Sequence, residues 1–487
     1  MRDGADRAAP KGTPGGRFQG VTTLRYCKEC FAKQQKINEL QEENARLKAQ
    51  VRRQERTAKE GFFGASTPSS KVPVKANTLP DRQARRGGGQ AGHLGHGRSA
   101  VGEDQADRVE RVGAPQRCPH CRVRLVARGL RRRTVVDIEP VKAHTTVFQL
   151  ERKRCPKCGR SFEGRPGGVL PKGLYGNRLL AYVAAQHYFH GNTLGQIERQ
   201  TGIGCGALVQ ALRQVAGRVE SVPDALIEEY RKASVKHADE TGWRTDGQNG
   251  YAWIFATRQL SLFRFRKTRS GAVPAEVFGQ KRLPGVLVVD RYHGYNKAPC
   301  ALEYCYAHLK RDAEGVEKDF PDNPEIAAFV EALVPALSLA MSLRTLGLSR
   351  PQFLRHAATI KRRIIAIVHR QAKHPAIWRI QNIFRENAHR LYHWARDPSI
   401  PAENNLAERD LRPLVIARKI SFGSQSEAGA RTREILMSVL HTLKKRGRDP
   451  AAALQDTLDQ LASNPHLDPY PLLFPSQRPS PHRPPRN

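Results

Sequence analysis

Two aspartates interrupt or follow the most strand-like segments of a chain that is otherwise rich in basic residues. Asp239 lies within the β-rich segment 235–244, and Asp290 follows the continuous apolar run 285–289. A carboxylate beside a buried strand is costly to desolvate unless it is paired, hydrogen-bonded or bound to a cation. Two such acids on neighbouring strands would repel each other, and Mg²⁺ would relieve the repulsion because hard cations take carboxylate oxygens. For each acid alone, an ordinary turn or cap aspartate is the alternative.

A third acid, Glu408, lies in a polar segment that precedes Pro413. If this segment is helical, Asn404, Asn405 and Arg412 share the face of the acid. The spacing Asn405-x-x-Glu408 is also that of a capping box, in which Glu408 would only close a helix N-terminus. Pro413 is expected to end or kink the helix. Both roles of Glu408 stay open on residue chemistry alone.

Two C-x-x-C pairs supply four thiolates, which is the donor set that tetrahedral Zn²⁺ takes when each pair lies on a tight turn. The β-branched segments 133–138 and 144–152 predict strands between the pairs, and therefore a small zinc ribbon. Because cysteine fills all four positions, no position stays open for water, and we expect a structural zinc; redox thiols are the alternative. The four ligands would be Cys118, Cys121, Cys155 and Cys158.

Composition limits the class of protein. The 487 residues include 82 Lys+Arg against 46 Asp+Glu, a net charge of +36, which favours a polyanionic partner because counterion release from phosphates supplies binding free energy. We expect no secretory signal, and the apolar stretch 329–341, interrupted by Glu331 and Pro335, is expected to be too short to span a membrane. A cytoplasmic protein is predicted. Cys27 and Cys30 form a further C-x-x-C. Either this spacing arises by chance, or two copies of the chain would share a metal at these cysteines across a dimer.

Heptad spacing of apolar residues predicts a short coiled coil near the N-terminus. Ile37, Leu40, Leu47 and Val51 occupy the seam, and Asn44 lies at an a position, where a buried amide favours two strands. A small dimerising element is predicted, with an exposed amphipathic helix as the alternative.

The middle of the chain predicts first helices and then strands. Within the helical region 172–232, the segments 193–200 and 207–219 have helix-turn-helix spacing, which fits either DNA-end recognition or plain helical packing. Turn residues then separate three strands in a meander, followed by a helix and a buried strand that ends at Asp290.

Four motifs, in this order, resemble those of the DDE transposases of the insertion sequence 66 family. The N-terminal helix, the cysteine pairs, the helical middle and the segment 438–450 follow the family's order, so the resemblance covers nearly the whole chain. The motifs are HADETGW at 237–243, VVDRYHGY at 288–295, YCYAHLKRD at 304–312 and NNLAER at 404–409, the last continuing to Arg418 and Lys419.

The resemblance implies a multidomain α+β protein with a ribonuclease-H-like core, in which a mixed α/β sheet is flanked by helices and interrupted by a helical insertion. Asp239, Asp290 and Glu408 would form the catalytic triad and hold two Mg²⁺ ions, which would clamp the scissile phosphate. Arg291 departs from the family, since many members have glycine after the second acid; this cation would weaken Mg²⁺ binding or hold a phosphate.

The resemblance also implies the partners. These are double-stranded DNA at the element's terminal repeats and at the target, further copies of the chain in at least a dimer, and accessory proteins of the same element. The protein would be associated with the nucleoid, and a non-catalytic, transposase-derived DNA-binding protein is the alternative function. The candidates for DNA binding, each of which could also be an ordinary surface or packing residue, are His308, Arg311, Arg412 and Lys419.

These inferences divide the chain into nine segments. They are a disordered N-terminus (1–32), a coiled-coil helix (33–58), a basic disordered linker (59–114), the zinc ribbon (115–165), a helix-turn-helix-like helical domain (166–232), the first part of the catalytic core (233–314), the helical insertion (315–398), the rest of the core with the third acid (399–465) and a disordered tail (466–487).

Overall fold

The computed structural model describes residues 142–475 continuously, residues between 103 and 130 with gaps, and a discontinuous part of 33–51. The predicted disorder of 1–32, most of the linker 59–114, the pair Cys27 and Cys30 and the predicted strand 133–138 lie outside the described residues. The described residues of 33–51 are helical and exposed, and the dimerising coiled coil and the exposed amphipathic helix both stay predictions.

Between residues 142 and 475 the chain has a mixed α+β structure. The strands are β1 (Arg152–Arg154), β2 (Ser161–Glu163), β3 (Val235–Thr245), β4 (Gln248–Ala256), β5 (Ser261–Arg266), β6 (Val286–Val289) and β7 (Ala301–Tyr304). The helices are α1 (Asn177–Tyr188), α2 (Leu194–Thr201), α3 (Cys205–Arg218), α4 (Val222–Lys232), α5 (Ala272–Phe278), α6 (Tyr306–Asp319), α7 (Pro324–Ser342), α8 (Arg350–Val368), α9 (Pro375–Glu386), α10 (Asn405–Ser421), α11 (Glu427–Lys445), α12 (Pro450–Ser463) and α13 (Pro469–Leu473).

Hydrogen bonding orders the main strands β5-β4-β3-β6-β7. β4 and β5 are antiparallel, whereas β6 is parallel to both β3 and β7. β3 and β4 form a hairpin through Asp246 and Gly247, which have φ of 52° and 71°, as a type I′ turn requires. The predicted meander and the buried strand that follows it are confirmed.

The chain divides into two compact units. Among the described residues between 142 and 475, the first unit contains 233–238 and 274–405, and the second contains 142–232, 239–273 and 406–475. Strand β3 therefore begins in the first unit and ends in the second.

The first unit combines the parallel strands β6 and β7 with helices α6 to α9. All four residues of β6 are buried, as its apolar run predicted. Gly285 precedes this strand with a φ of 73°, and a Cβ there would lie 1.9 Å from the carbonyl oxygen of Ser234, so only glycine fits. α6 packs on α7 and α9, and α7 packs on α8.

One helical stretch of the described chain, Pro324–Leu346, is long and apolar enough to cross a membrane, with 23 residues and a mean hydropathy of 2.0. The expectation that this region is too short was wrong, because neither Glu331 nor Pro335 interrupts the helix. A core helix passes the same test of length and composition, and α7 buries Ile326 and Leu333 in its unit. The stretch is therefore weak evidence for a membrane span.

In the second unit, side chains of α11 satisfy the free backbone edge of β5. The backbone N–H of Phe263 donates to Oγ of Ser438 at 2.9 Å, and that of Phe265 donates to Oε2 of Glu434 at 3.1 Å. Two residues along a strand and four residues along a helix each advance by about 6–7 Å. The strand residues Phe263 and Phe265 therefore lie opposite the helix residues Ser438 and Glu434. The resulting ladder covers the buried edge of the strand.

The end of the chain differs from the expected disordered tail, because residues 466–475 are described and include α13. Leu473 is buried, and the Tyr470 hydroxyl donates to a carboxylate oxygen of Glu229 in α4 at 2.5 Å. Arg446 stacks over the ring of Phe474 at 4.4 Å. These apolar and aromatic contacts hold the segment against α12 and α4.

Candidate functional site

The first two predicted acids occupy equivalent positions on two strands that pair in parallel. β3 and β6 are in register with His237 opposite Val288. Asp239 and Asp290 each follow these paired residues by two positions, and both acids are half-buried. The two acids therefore hold equivalent positions relative to the register of β3 and β6, and the site that they would form stays a prediction.

Asp290 is the residue directly after β6, where the buried apolar strand ends. Its Oδ1 accepts a hydrogen bond from the backbone N–H of Tyr292 at 2.9 Å. The guanidinium of Arg291 donates to the carboxylate of Asp312 in α6. Both members of this ion pair are partly exposed, at 31% and 38%. Asp312 thus neutralises the cation beside the second acid, and sequence reasoning missed this pair.

Asn404 is a buried polar residue that joins β3 to the beginning of α6 within the first unit. Its Nδ2 donates to the carbonyl oxygen of Ala238 at 2.8 Å, and its Oδ1 lies 2.9 Å from Nδ1 of His237. Its backbone N–H lies 3.2 Å from Sγ of Cys305, the residue before α6. With this amide orientation His237 carries its proton on Nδ1, because an amide oxygen only accepts. Asn404 therefore fixes the backbone immediately before Asp239.

Glu408 lies in the first turn of α10 and is half-buried. The helix begins at Asn405, so Asn404 precedes it and does not lie on its face as expected. Asn405 is the first residue of the helix, and its capping box with Glu408 stays a prediction. Pro413 lies inside α10, which continues to Ser421, so the proline does not end the helix; the alternative that it kinks the helix stays a prediction.

Arg418 ties α10 to β3 within the second unit. Its Nη1 donates to Oγ1 of Thr241 at 3.1 Å and to the carbonyl oxygen of Gly242 at 2.5 Å. These two residues follow Asp239 closely, and the same helix carries Glu408. The arginine thus holds together the two elements that bear the first and third acids. The sequence analysis named Arg418 only as part of a motif and did not predict this role. The signal that could have indicated it is the polar Thr241 on β3, whose hydroxyl accepts the hydrogen bond of Arg418.

The four candidate DNA-binding residues lie on two helices. His308 and Arg311 are three residues apart on α6, the first half-buried and the second exposed. Arg412 and Lys419 are seven residues apart on α10 and are both exposed. Positions three or seven apart share one helix face, so each helix presents its pair on one side.

The two C-x-x-C pairs form matching turns. In each turn, the backbone N–H of the first cysteine donates to the carbonyl oxygen of the residue five positions later. The backbone N–H of the residue four positions later donates to the carbonyl oxygen of that cysteine, and these distances are 2.8 to 3.0 Å. Arg122 and Gly159 hold that fourth position with φ of 59° and 69°. Backbone N–H groups within the turns lower the pKa of Cys118 and of Cys155, which favours the thiolate that binds metals.

The surroundings of these turns depart from the predicted ribbon. β1 and β2 pair antiparallel around the second turn, but 142–151 contains no strand, so the prediction of a strand over 144–152 was wrong apart from Arg152. Val147 is 85% exposed, and without a packing partner its β-branched side chain has nothing to stabilise a strand. In this described region no three of the four Sγ atoms lie within 4.8 Å of one another.

The predicted helix-turn-helix spacing is present as α2 and α3, joined by the residues 202–204. Thr193 caps α2 in a capping box with Gln196, and Gly202 ends this helix with a φ of 71°. The Cys205 thiol donates to Glu198 at 2.8 Å, and this hydrogen bond raises the pKa of the thiol. The two helices pack on each other in the second unit.

Comparison with known proteins identifies the group to which this chain is similar. The sequence model of the transposase IS66 family matches residues 172–432. An uncharacterized protein of Sinorhizobium fredii (strain NBRC 101917 / NGR234), y4qI, is 25% identical over 453 residues, covering 82% of this chain and 78% of the relative. A second, y4jD of the same strain, is 27% identical over 201 residues, covering 37% of this chain and 38% of the relative.

The matched segment contains the three acids and the four basic candidates, so the protein is of the transposase class, which acts on DNA. The chain belongs to the transposase IS66 family, whose model covers more than half of its length. A net charge of +36 agrees with a DNA partner.

Proposed function

We propose that the protein is a DNA transposase of a bacterial insertion sequence, which binds the element's ends, cleaves a phosphodiester there and transfers the freed strand to target DNA. The observation that carries the proposal is the equivalent placement of Asp239 and Asp290 on parallel-paired strands, with Glu408 on a helix that Arg418 ties to β3. Family membership supports the activity class, and a ribonuclease-H-like core is the fold we propose for β3 to β7 and their helices.

Asp239, Asp290 and Glu408 would hold two Mg²⁺ ions. The donor set fits this metal, because hard cations take carboxylate oxygens. Bound Mg²⁺ supplies Lewis-acid stabilisation of the phosphate and activates the attacking oxygen. Asn404 and Arg418 would keep the backbone on both sides of Asp239 in place, and His308, Arg311, Arg412 and Lys419 would hold DNA phosphates through charge and hydrogen bonds.

Two bond exchanges make up the reaction. Water first hydrolyses the phosphodiester at the element's end, leaving a 3′-hydroxyl on the element and a phosphate on the flanking strand. That hydroxyl then attacks a target phosphodiester, so one P–O bond forms as another breaks, without a covalent protein intermediate. The proposed assembly includes at least two copies, joined through the N-terminal helix, in a nucleoid-associated, cytoplasmic complex with accessory proteins of the element.

Strand-transfer assays on the element's ends test the proposal. We expect Asp239→Asn, Asp290→Asn and Glu408→Gln to abolish cleavage and joining while leaving end binding intact, whereas Asp456→Asn, at an exposed site on α12, leaves both unchanged. Inverted repeats bounded by a short direct duplication around the gene identify the substrate. If the wild type binds these ends but cleaves nothing in Mg²⁺ or Mn²⁺, the non-catalytic alternative holds. Cutting that ignores the repeats would indicate a general nuclease.

A further inference from the structure

The second unit contains a cavity of about 310 Å³ between α1, α3, the end of α10 and the beginning of α11, here called the α3–α11 pocket. Its volume is at the lower end of the range of small-molecule sites, about 300–1,000 Å³. Val209, Leu212 and Ile420 line it with apolar surface, while Arg213 and Arg433 line it with positive charge.

Arg433 is a buried cation without a carboxylate partner among the described residues. Its side chain extends from α11 between the rings of Tyr188 and Trp243, with the guanidinium carbon 5.0 and 5.2 Å from the ring centres. The residue is only 5% exposed. Burying an unpaired charge is costly, and two aromatic faces offset only part of that cost.

The remaining polar contact of Arg433 is neutral. Nη2 of Arg433 lies 3.4 Å from Nε2 of His187, whose Nδ1 lies 2.8 Å from the carbonyl oxygen of Asn192. The arrangement requires His187 to donate from Nδ1 and accept at Nε2, which is the neutral tautomer. The positive charge of Arg433 is therefore not cancelled within the pocket.

Two further features favour an anion beside Arg433. The pocket includes Ser426 and Gly429 at the N-terminus of α11, a helix of 19 residues whose dipole presents positive charge there. Arg213 on α3 lines the pocket and is exposed, so it offers a second positive charge to a ligand there. An anionic group therefore belongs at the charged side, and an apolar ring or chain belongs against Leu212 and Ile420.

We infer that the α3–α11 pocket binds a phosphate-bearing nucleoside, with the phosphate at Arg433 and Arg213 and the base against the apolar lining. The inference rests on the proposed function, which makes DNA the substrate. The ligand is either a free mononucleotide or one unpaired nucleotide at the end of a DNA strand, and both present the same phosphate and base to the pocket.

Calorimetric titration of the full chain with a 2′-deoxynucleoside 5′-monophosphate tests the inference. We expect binding to the wild type, and affinity weakened about tenfold or more for the matching nucleoside without phosphate, because charge-assisted contacts are lost. Val209→Trp fills the cavity from a half-buried position and should abolish binding, and Arg213→Gln should weaken it. Arg199→Gln, an exposed arginine of α2 outside the pocket, is the matched control and should bind like the wild type.

Melting temperatures confirm that the variants fold, so Arg433→Gln enters the series only if it retains the wild-type transition. A duplex with one unpaired 3′-nucleotide, compared with a blunt duplex, separates the two sources of the ligand. Absence of mononucleotide binding by the wild type, or binding that Val209→Trp leaves unchanged, would overturn the inference. Strand transfer by the wild type is scored separately, so a failed pocket and a failed transposase assignment give different results.

Discussion

The side-chain amide of Asn404 donates to the main-chain carbonyl of Ala238 at 2.8 Å. This bond links the segment that enters α10 to the strand residue that precedes Asp239. Replacing Asn404 by alanine would remove the amide that donates to this buried carbonyl and the amide oxygen that faces Nδ1 of His237. An unsatisfied buried group costs about 1–3 kcal/mol, so we expect Asn404→Ala to lose at least this much stability.

Urea unfolding measures the effect, with Asn249→Ala as the matched control because Asn249 is an exposed asparagine of β4. The control should change the unfolding free energy by about 0.5 kcal/mol or less. Equal losses in both variants would show that the buried amide has no special role. Strand transfer by Asn404→Ala at a temperature where it is folded should also fall, because the backbone at Asp239 is no longer fixed.

Glu434 neutralises arginines at the edge of β5, and its removal should be costly. Its carboxylate contacts Arg264 at 2.6 Å and Arg266 at 3.0 Å, with the Arg264 and Glu434 side chains only 5% and 2% exposed. Glu434→Gln leaves the buried Arg264 with only the long, exposed pair to Asp224 at 3.8 Å, and removing the buried partner of such a pair costs about 3–5 kcal/mol. Glu427→Gln on the same helix removes only an exposed pair with Lys267 and should cost less than about 1 kcal/mol. Chemical denaturation of both variants makes the comparison.

Two buried histidines predict destabilisation by acid. Burial lowers the pKa of His187 and of His441 to about 4. The unfolded chain binds these protons from about pH 6.5 downward, so stability is complete above pH 6.5 and falls as the pH decreases towards 4. At 1.36 kcal/mol per pKa unit, the loss is about 3 kcal/mol for each residue.

The pH dependence of unfolding between 7 and 4.5 tests this prediction. His441→Gln should lower stability at pH 7, where its ring packs against Phe263, yet lose less on acidification than the wild type. His466→Gln, an exposed site in the same unit, should reproduce the wild-type slope. A slope unchanged in His441→Gln would refute the assignment.

The cysteine turns predict one structural zinc per chain. Metal analysis of the purified protein should give one equivalent, and Cys118→Ser or Cys155→Ser should lose it, because each turn contributes two of four thiolates. Cys300→Ser, outside both turns, is the control and should retain the metal. Chelation should unfold the region around β1 and β2 without lowering the melting temperature of the helical part. Full zinc retention in both turn variants would contradict the four-cysteine site.

Local patterns were enough to predict the strands that carry the acids. The Asp246-Gly247 turn, the apolar run before Asp290 and the separation between them specify the meander and the parallel strand, because turn chemistry and burial act over short distances. The start of α10 was misplaced because the side chain of Asn404 bonds to a strand more than 160 residues away. The contacts of Arg418 and of Asp312 were missed for the same reason, since neither leaves a periodic signal in the sequence.

The ladder from α11 to β5 has a consequence for assembly. Because Ser438 and Glu434 already occupy backbone donors of β5, a second molecule cannot extend the sheet by adding a strand along that covered stretch. In the proposed assembly, copies would therefore contact this covered stretch only through side-chain surfaces or helices. Intermolecular β-pairing, a common route to irreversible aggregation, is therefore prevented along the covered stretch of β5.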